Sequence, residues 1–290
     1  MKIYLKLQKI TRRCLNVSKI ISVWSYKDGW GSSTILSLLT KLISSETDSK
    51  ILCIDMQSRY STLSSYIGDD IKEETNVDGL LSIGEVKPID DNILKHYIQK
   101  SSIRNVNLIA GSRISKSNSL ERIVPSDKNI LDNLVNKFKE KYDFIIIDLP
   151  SGVDNQTSKY FFGVSDFIIS VLNQDRIHLT NLSGDINNNR INKEKLIGVL
   201  NYYDDSLSLT DSFIKKELSI KMIIALPYLS KIKETANEDI LIDINDKDIL
   251  DYFKPILMKI IDNFDDLPKE SKDKAIKSKF NIFKKLKNQI

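Results

Sequence analysis

A chain of 290 residues, 41% of them hydrophobic, can bury a full core and still fit one large domain. No uninterrupted apolar run is long enough to cross a membrane as a helix. Cys14 and Cys53 are too few and too dispersed for a disulfide framework or a CxxC metal site, which points to a reducing cytoplasm. The net charge is only +4, but residues 1–19 carry +6 and the segment from Lys269 onward another +6, leaving −8 between them. Basic ends on an acidic body suit contact with something anionic, or a solvated charged face.

Residues 1–17 alternate apolar and basic side chains (Ile3, Leu5, Leu7, Ile10 among the lysines and arginines) and read as a basic leader, either an edge strand or a loosely held arm. With no continuous apolar stretch behind the basic residues, it is not expected to be a signal peptide. Ile20 to Trp24 is a short, β-branched apolar run, expected as a central strand buried on both faces. It leads into Lys27-Asp28-Gly29-Trp30-Gly31-Ser32-Ser33-Thr34, and then Ile35, Leu36, Leu38, Leu39, Leu42 and Ile43 recur at helical spacing. Strand, glycine loop and helix in that order gather backbone N–H groups and the positive end of a helix dipole around one concavity, the arrangement that holds polyphosphates. An ordinary turn capped by Ser32 or Ser33 is the alternative.

The next apolar run, Ile51 to Asp55, is a strand ending in a carboxylate, followed by Met56-Gln57-Ser58-Arg59-Tyr60-Ser61-Thr62-Leu63. An acid at the end of a buried parallel strand is expected to point into the crevice at the carboxyl edge of the sheet, or else to cap a turn. Residues 66–104 are helical in pattern, 106–111 read as a short strand, and Lys128 to Tyr142 as an amphipathic helix. Tyr142 to Pro150 is the strongest strand, hydrophobic up to Asp148. Further strands are expected at 166–172, 195–201 and 222–228, separated by helical or turn-rich sequence, and Asp246 to Asn263 as one amphipathic helix closing the core. Such βα repetition predicts an α/β fold with a mostly parallel central sheet and helices on both faces.

These blocks together resemble the ParA/MinD family of P-loop ATPases, over roughly residues 18–240. The loop resembles that family's deviant Walker A motif, Lys-Gly-Gly-x-Gly-Lys-Ser/Thr-Ser/Thr, with Asp28 in place of a glycine and Ser32 in place of the second lysine. Asp55 matches the first aspartate of the Walker A′ segment, Gln57 stands where a second aspartate is usual, and Asp148 ends a Walker B strand. The resemblance implies ATP or ADP with Mg²⁺ as ligands. Gly29, Trp30, Gly31, Ser32, Ser33 and Thr34 would form the phosphate loop, and Asn201 and the segment after Pro227 would lie against the adenine. Ser33, Asp55 and Asp148 would serve the metal, Asp55 and Asp148 would also act in catalysis, and Lys27 would join them by reaching across a homodimer to the partner's phosphates. Trp30 could pack on its own loop or on the partner. The Gly-x-Gly-Ser-Ser-Thr loop and the Asp-Leu-Pro after Walker B look most like the TadZ/CpaE branch, which positions pilus-assembly machinery.

Ser32 cannot supply the charge-assisted hydrogen bonds of a lysine, worth roughly 1.5 to 3 kcal/mol each, so hydrolysis is expected to be weak or absent. Residues 18–268 are expected to form the ATPase-like body and 269–290 a basic amphipathic tail, with Ile276, Phe280, Ile282, Phe283, Leu286 and Ile290 gathered on one side. Such a tail suits an anionic membrane surface, a protein partner or plain solvation. The expected function is a nucleotide-dependent, dimerising positioning factor at the membrane or cell pole, either cytoplasmic or peripheral at the inner face of the membrane. A partition ATPase that binds DNA non-specifically and a nucleotide-free scaffold stand as alternatives. His96 and His178 lack metal-ligand spacing and receive no role.

Overall fold

The computed structural model describes residues 18–262 apart from 58–60, 69–70, 73, 113–127, 239–243 and 245. The basic leader 1–17, the tail 269–290 and Arg59 and Tyr60 of the Walker A′ segment therefore lie outside the described residues.

From β1 (Lys19–Ser25) the chain passes through the glycine loop into α1 (Ser32–Glu46) and returns as β2 (Ile51–Asp55). Helices α2 (Leu63–Ile67), α3 (Val77–Val86) and α4 (Asp91–Tyr97) precede β3 (Gln99–Lys100) and β4 (Val106–Ile109). Next, α5 (Lys128–Lys139) leads to β5 (Phe144–Asp148), α6 (Gln156–Val164) to β6 (Phe167–Leu172) and α7 (Arg176–Asn187) to β7 (Leu196–Tyr203). Finally α8 (Asp211–Glu217) leads to β8 (Ile223–Pro227), followed by α9 (Ser230–Asn237), α10 (Lys247–Asp251) and α11 (Lys254–Asp262).

The strands form one sheet in the order β3-β4-β2-β5-β1-β6-β7-β8. Every neighbouring pair is parallel except β3 with β4. Side-chain alternation explains the layering. In β1, Ile20 and Trp24 enter one apolar core while Ile21 and Val23 enter the other; in β5, Ile145 and Ile147 oppose Phe144 and Ile146 in the same way. A strand apolar on both faces is stable only inside a sheet covered on both sides. One face is covered by α1, α2, α10 and α11, and the other by α3, α4, α5, α6, α7 and α8.

Two expectations change. The stretch 66–104, helical in pattern, also contains the antiparallel β3, whose two residues are too few to show a period of two. The single helix expected over 246–263 is two, α10 and α11, broken at Tyr252 and Phe253. Pro255 is the cause: it has no N–H to donate, and its ring would collide with the carbonyl of Asp251 in an unbroken helix. Phe253 instead donates its N–H to Leu250 O at 3.0 Å and accepts from Leu257 N at 3.1 Å. The apolar stripe still closes the core, with Phe253, Ile256 and Ile260 fully buried beside α1. Cys53 sits in the same core, where burial pushes its thiol up to about 12 and removes it from thiolate chemistry.

Candidate functional site

Two glycines shape the loop between β1 and α1. Gly29 (φ 79°) and Gly31 (φ 94°) both lie in the left-handed region, where a side chain strains the backbone. At Gly31 space is also closed, since a Cβ there would meet Asn201 Nδ2 at 2.8 Å. Asn201, buried near the end of β7, donates that amide to the Trp30 carbonyl at 2.8 Å and so ties the loop to the sheet.

Gly31 caps α1, and its carbonyl accepts from Ile35 N at 2.9 Å. The N–H groups of Ser32, Ser33 and Thr34 have no intrahelical acceptor, as in the first turn of any helix. These residues line a cavity of about 750 Å³, bounded also by Asp28, Gly29, Gln57, Tyr66, Asn155, Asn201, Tyr202, Pro227 and the Ile232–Lys233 turn of α9. No acidic residue stands in the first turn of α1, so the helix end keeps its attraction for an anion.

Beneath the loop, Asp55 and Asp148 stand opposite each other in the β2–β5 register, both fully buried. Asp148 Oδ2 accepts from Ser33 Oγ at 2.5 Å, and its Oδ1 accepts from Gln57 Nε2 at 3.3 Å. Gln57 Nε2 also donates to Leu149 O at 2.7 Å. Asp55 accepts from the Ser61 hydroxyl and from Gln57 N. Burial raises both carboxyls above the ordinary range, and the Asp55 charge raises Asp148 further.

Of the residues singled out in the sequence, Gly29, Gly31, Ser32, Ser33, Thr34, Asn201 and Pro227 border this one cavity. Lys27, Trp30, Asp55 and Asp148 do not, the two carboxylates being fully buried beneath the loop. Asp55 is fully buried at the end of β2, where the Ser61 hydroxyl donates to it and Gly111 lets the chain approach its carboxyl carbon closely. Trp30 is 9% exposed and packs edge-to-face on His178, ring centroids 5.2 Å apart. A large indole gains more from that contact area than from a place at an open mouth.

Three residues were not foreseen in their roles. Gln57 donates to Asp148, and His178 packs edge-on against Trp30 and Tyr26. Tyr202, left-handed at φ 56° where the β7–β8 register shifts, stands at the cavity mouth beside the exposed Tyr228, centroids 6.1 Å apart. No local pattern announces contacts between residues so distant in sequence.

The sequence matches the AAA domain family over residues 18–182, more than half of the chain, and that span holds the glycine loop and both buried carboxylates. The chain belongs to that family. Its fold is that of the ParA/MinD P-loop ATPases. The AAA domain chain is similar to a ParA family ATPase from Chlorobium tepidum TLS, with 16% identity and TM-score 0.66 over 86% of this chain and 100% of that one. It is also similar to the septum site-determining protein MinD of Pyrococcus horikoshii OT3 in complex with Mg-ADP (19% identity, TM-score 0.62, 86% and 96% covered). A putative plasmid partition protein from Borrelia burgdorferi B31, bound to AMPPNP, gives 20% identity and TM-score 0.67 over 85% and 99%. No curated protein matches the chain.

Among the described residues of this AAA domain protein, no group of three or more His, Cys, Asp or Glu is arranged to hold a metal. Magnesium rarely needs one, being held by one or two carboxylates with phosphate oxygens and water. No helix among the described residues is long and apolar enough to cross a membrane.

Proposed function

We propose that this protein binds ATP or ADP with Mg²⁺ and acts as a nucleotide-dependent, dimerising positioning factor with weak or absent hydrolysis. The observation that carries the reading is the left-handed glycine loop at the N-terminus of α1, which opens on a cavity of about 750 Å³ with Asp148 bonded to Ser33 beneath it. The residues fit the ligand: the first-turn N–H groups would hold phosphate, while the Ser33 hydroxyl and Asp148, with Asp55 behind them, would serve the cation. Bound Mg²⁺ would supply charge neutralisation of the phosphates. Gln57 keeps Asp148 in place, and a nearby cation favours the ionised carboxylate that burial opposes.

The loop lacks the lysine that stabilises charge gathering on a transferring phosphoryl group, because Ser32 occupies its position. Asp28, at the cavity rim, adds a like charge. Lys27 is exposed and does not border its own cavity, an arrangement that supports action on the phosphates of a second copy. In sedimentation with Mg-ATP, the wild type is expected to dimerise. Lys27→Ala is expected to stay monomeric while binding Mg-ATP within roughly threefold of wild type. Turnover matching lysine-bearing relatives assayed in parallel would overturn the reading of weak hydrolysis.

By likeness of its loop to TadZ/CpaE proteins, we assign the positioned cargo to pilus or secretion machinery at the membrane, with residues 269–290 as the membrane contact. A plasmid-partition role is the second reading, favoured by the name of the Borrelia burgdorferi neighbour and by the basic ends. Salt separates the two: non-specific DNA binding collapses as ionic strength rises, whereas apolar insertion into a bilayer persists.

A further inference from the structure

We infer that His178 is a positioning residue for the phosphate loop, an inference that rests on the nucleotide-binding reading of the cavity. The loop has two inward-facing aromatic residues, Tyr26 and Trp30, with an exposed tip of Lys27, Asp28 and Gly29 between them. Both rings pack edge-on against one imidazole: His178 lies 5.9 Å from Tyr26 and 5.2 Å from Trp30, centroid to centroid, at interplanar angles of 69° and 76°. The imidazole stands beside a carboxylate: His178 Nδ1 lies 2.8 Å from Oδ2 of Asp175, outside hydrogen-bond alignment, and Asp175 caps α7 through the N–H groups of Ile177 and His178. Tyr26 is anchored a second time, donating its hydroxyl to Asp185 at 3.0 Å on the same helix.

A three-residue tip whose two ends share one support has little freedom left. His178 thus fixes the direction of Lys27 and Asp28 and the seat of Gly31, through Trp30 and the Asn201 bond to its carbonyl. In a loop without its second lysine, binding depends more on backbone N–H groups held in place, so the support bears directly on affinity. The clamp acts through the loop and touches no phosphate itself.

The test uses the full chain and the variants His178→Ala, His178→Phe and Trp30→Ala, each checked for folding by circular dichroism. Two readouts are taken: Mg-ATP affinity, and the rate of tryptic cleavage after Lys27 in the absence of nucleotide. His178→Ala is expected to weaken Mg-ATP binding roughly tenfold, the loss of two aromatic contacts, and to speed cleavage after Lys27. His178→Phe keeps a ring in place and is expected to restore both. Adding His178→Ala to Trp30→Ala is expected to change little further, because the two act as a unit. Wild-type affinity and wild-type cleavage in His178→Ala, or no rescue by a folded His178→Phe, would overturn the inference. Absence of Mg-ATP binding by the wild type would instead sink the nucleotide reading, and cleavage after Lys27 would then decide the clamp alone.

Discussion

Replacing Ser32 by lysine is expected to tighten Mg-ATP binding by roughly 10- to 100-fold, the equivalent of one charge-assisted hydrogen bond to phosphate. Turnover is expected to rise further, by about two to three orders of magnitude, since a donor aimed at developing charge acts more strongly on the transition state than on the ground state. The geometry permits the change. Ser32 is the first residue of α1 and lines the cavity, so a lysine stem has space in which to extend. The added ammonium would also face the buried Asp148 carboxylate, offsetting the repulsion from Asp55. Ser32→Ala serves as the control and is expected to leave affinity within about twofold, because the serine supplies no charge. Parallel calorimetry and phosphate release on the two variants check the prediction. Equal affinity in Ser32→Lys and Ser32→Ala would mean that the loop does not cradle phosphate.

Asp148→Asn is expected to stabilise the nucleotide-free protein at neutral pH while removing its response to Mg-ATP. The two carboxyls sit side by side in the sheet, out of water, and both are raised above the value they have in an unfolded chain. Between the unfolded value and the raised folded value, the folded protein holds more protons than the unfolded one, so stability falls as pH rises through that window and is recovered as pH falls. Wild-type melting temperature should therefore drop from pH 5 to pH 8 without magnesium. The asparagine removes one charge of the pair and flattens that dependence. At pH 8 its melting temperature should lie above that of the wild type. Its hydrogen bonds survive, because the Ser33 hydroxyl can turn to accept from the new amide while Gln57 still donates to the remaining oxygen. Mg-ATP should raise the melting temperature of the wild type and leave Asp148→Asn unchanged. A wild-type melting curve indifferent to pH over this window would contradict the burial argument.

Much of this was legible before any coordinates. Ile20–Trp24 and the run up to Asp148 are apolar on both faces, which forces them to the middle of a covered sheet, and there they lie as neighbours. Gly29 and Gly31 flank a single residue before a helix, and both adopt the left-handed backbone that only glycine takes readily. Pro255 was present to be read as a helix break, but the apolar stripe on either side of it concealed the interruption. The burial of Asp55 was not legible, because it depends on Ser61 folding back and on Gly111 passing close by. The place of Trp30 was not legible either: an aromatic in a glycine loop has no periodicity, and its support, His178, comes from a helix on the far side of β6 in the chain. Tertiary contacts of this kind leave their mark on the residue's burial, not on its neighbours in sequence.

The measurement that tests the account most directly is calorimetric titration of Mg-ATP into the wild-type chain and into Ser33→Ala. Ser33 provides the hydroxyl that meets Asp148, and its loss removes the loop's contribution to the cation without removing the glycines. Saturable binding by the wild type that requires Mg²⁺ and disappears in Ser33→Ala is the predicted result. No binding at millimolar ATP by the folded wild-type protein, or equal binding by Ser33→Ala, would contradict it.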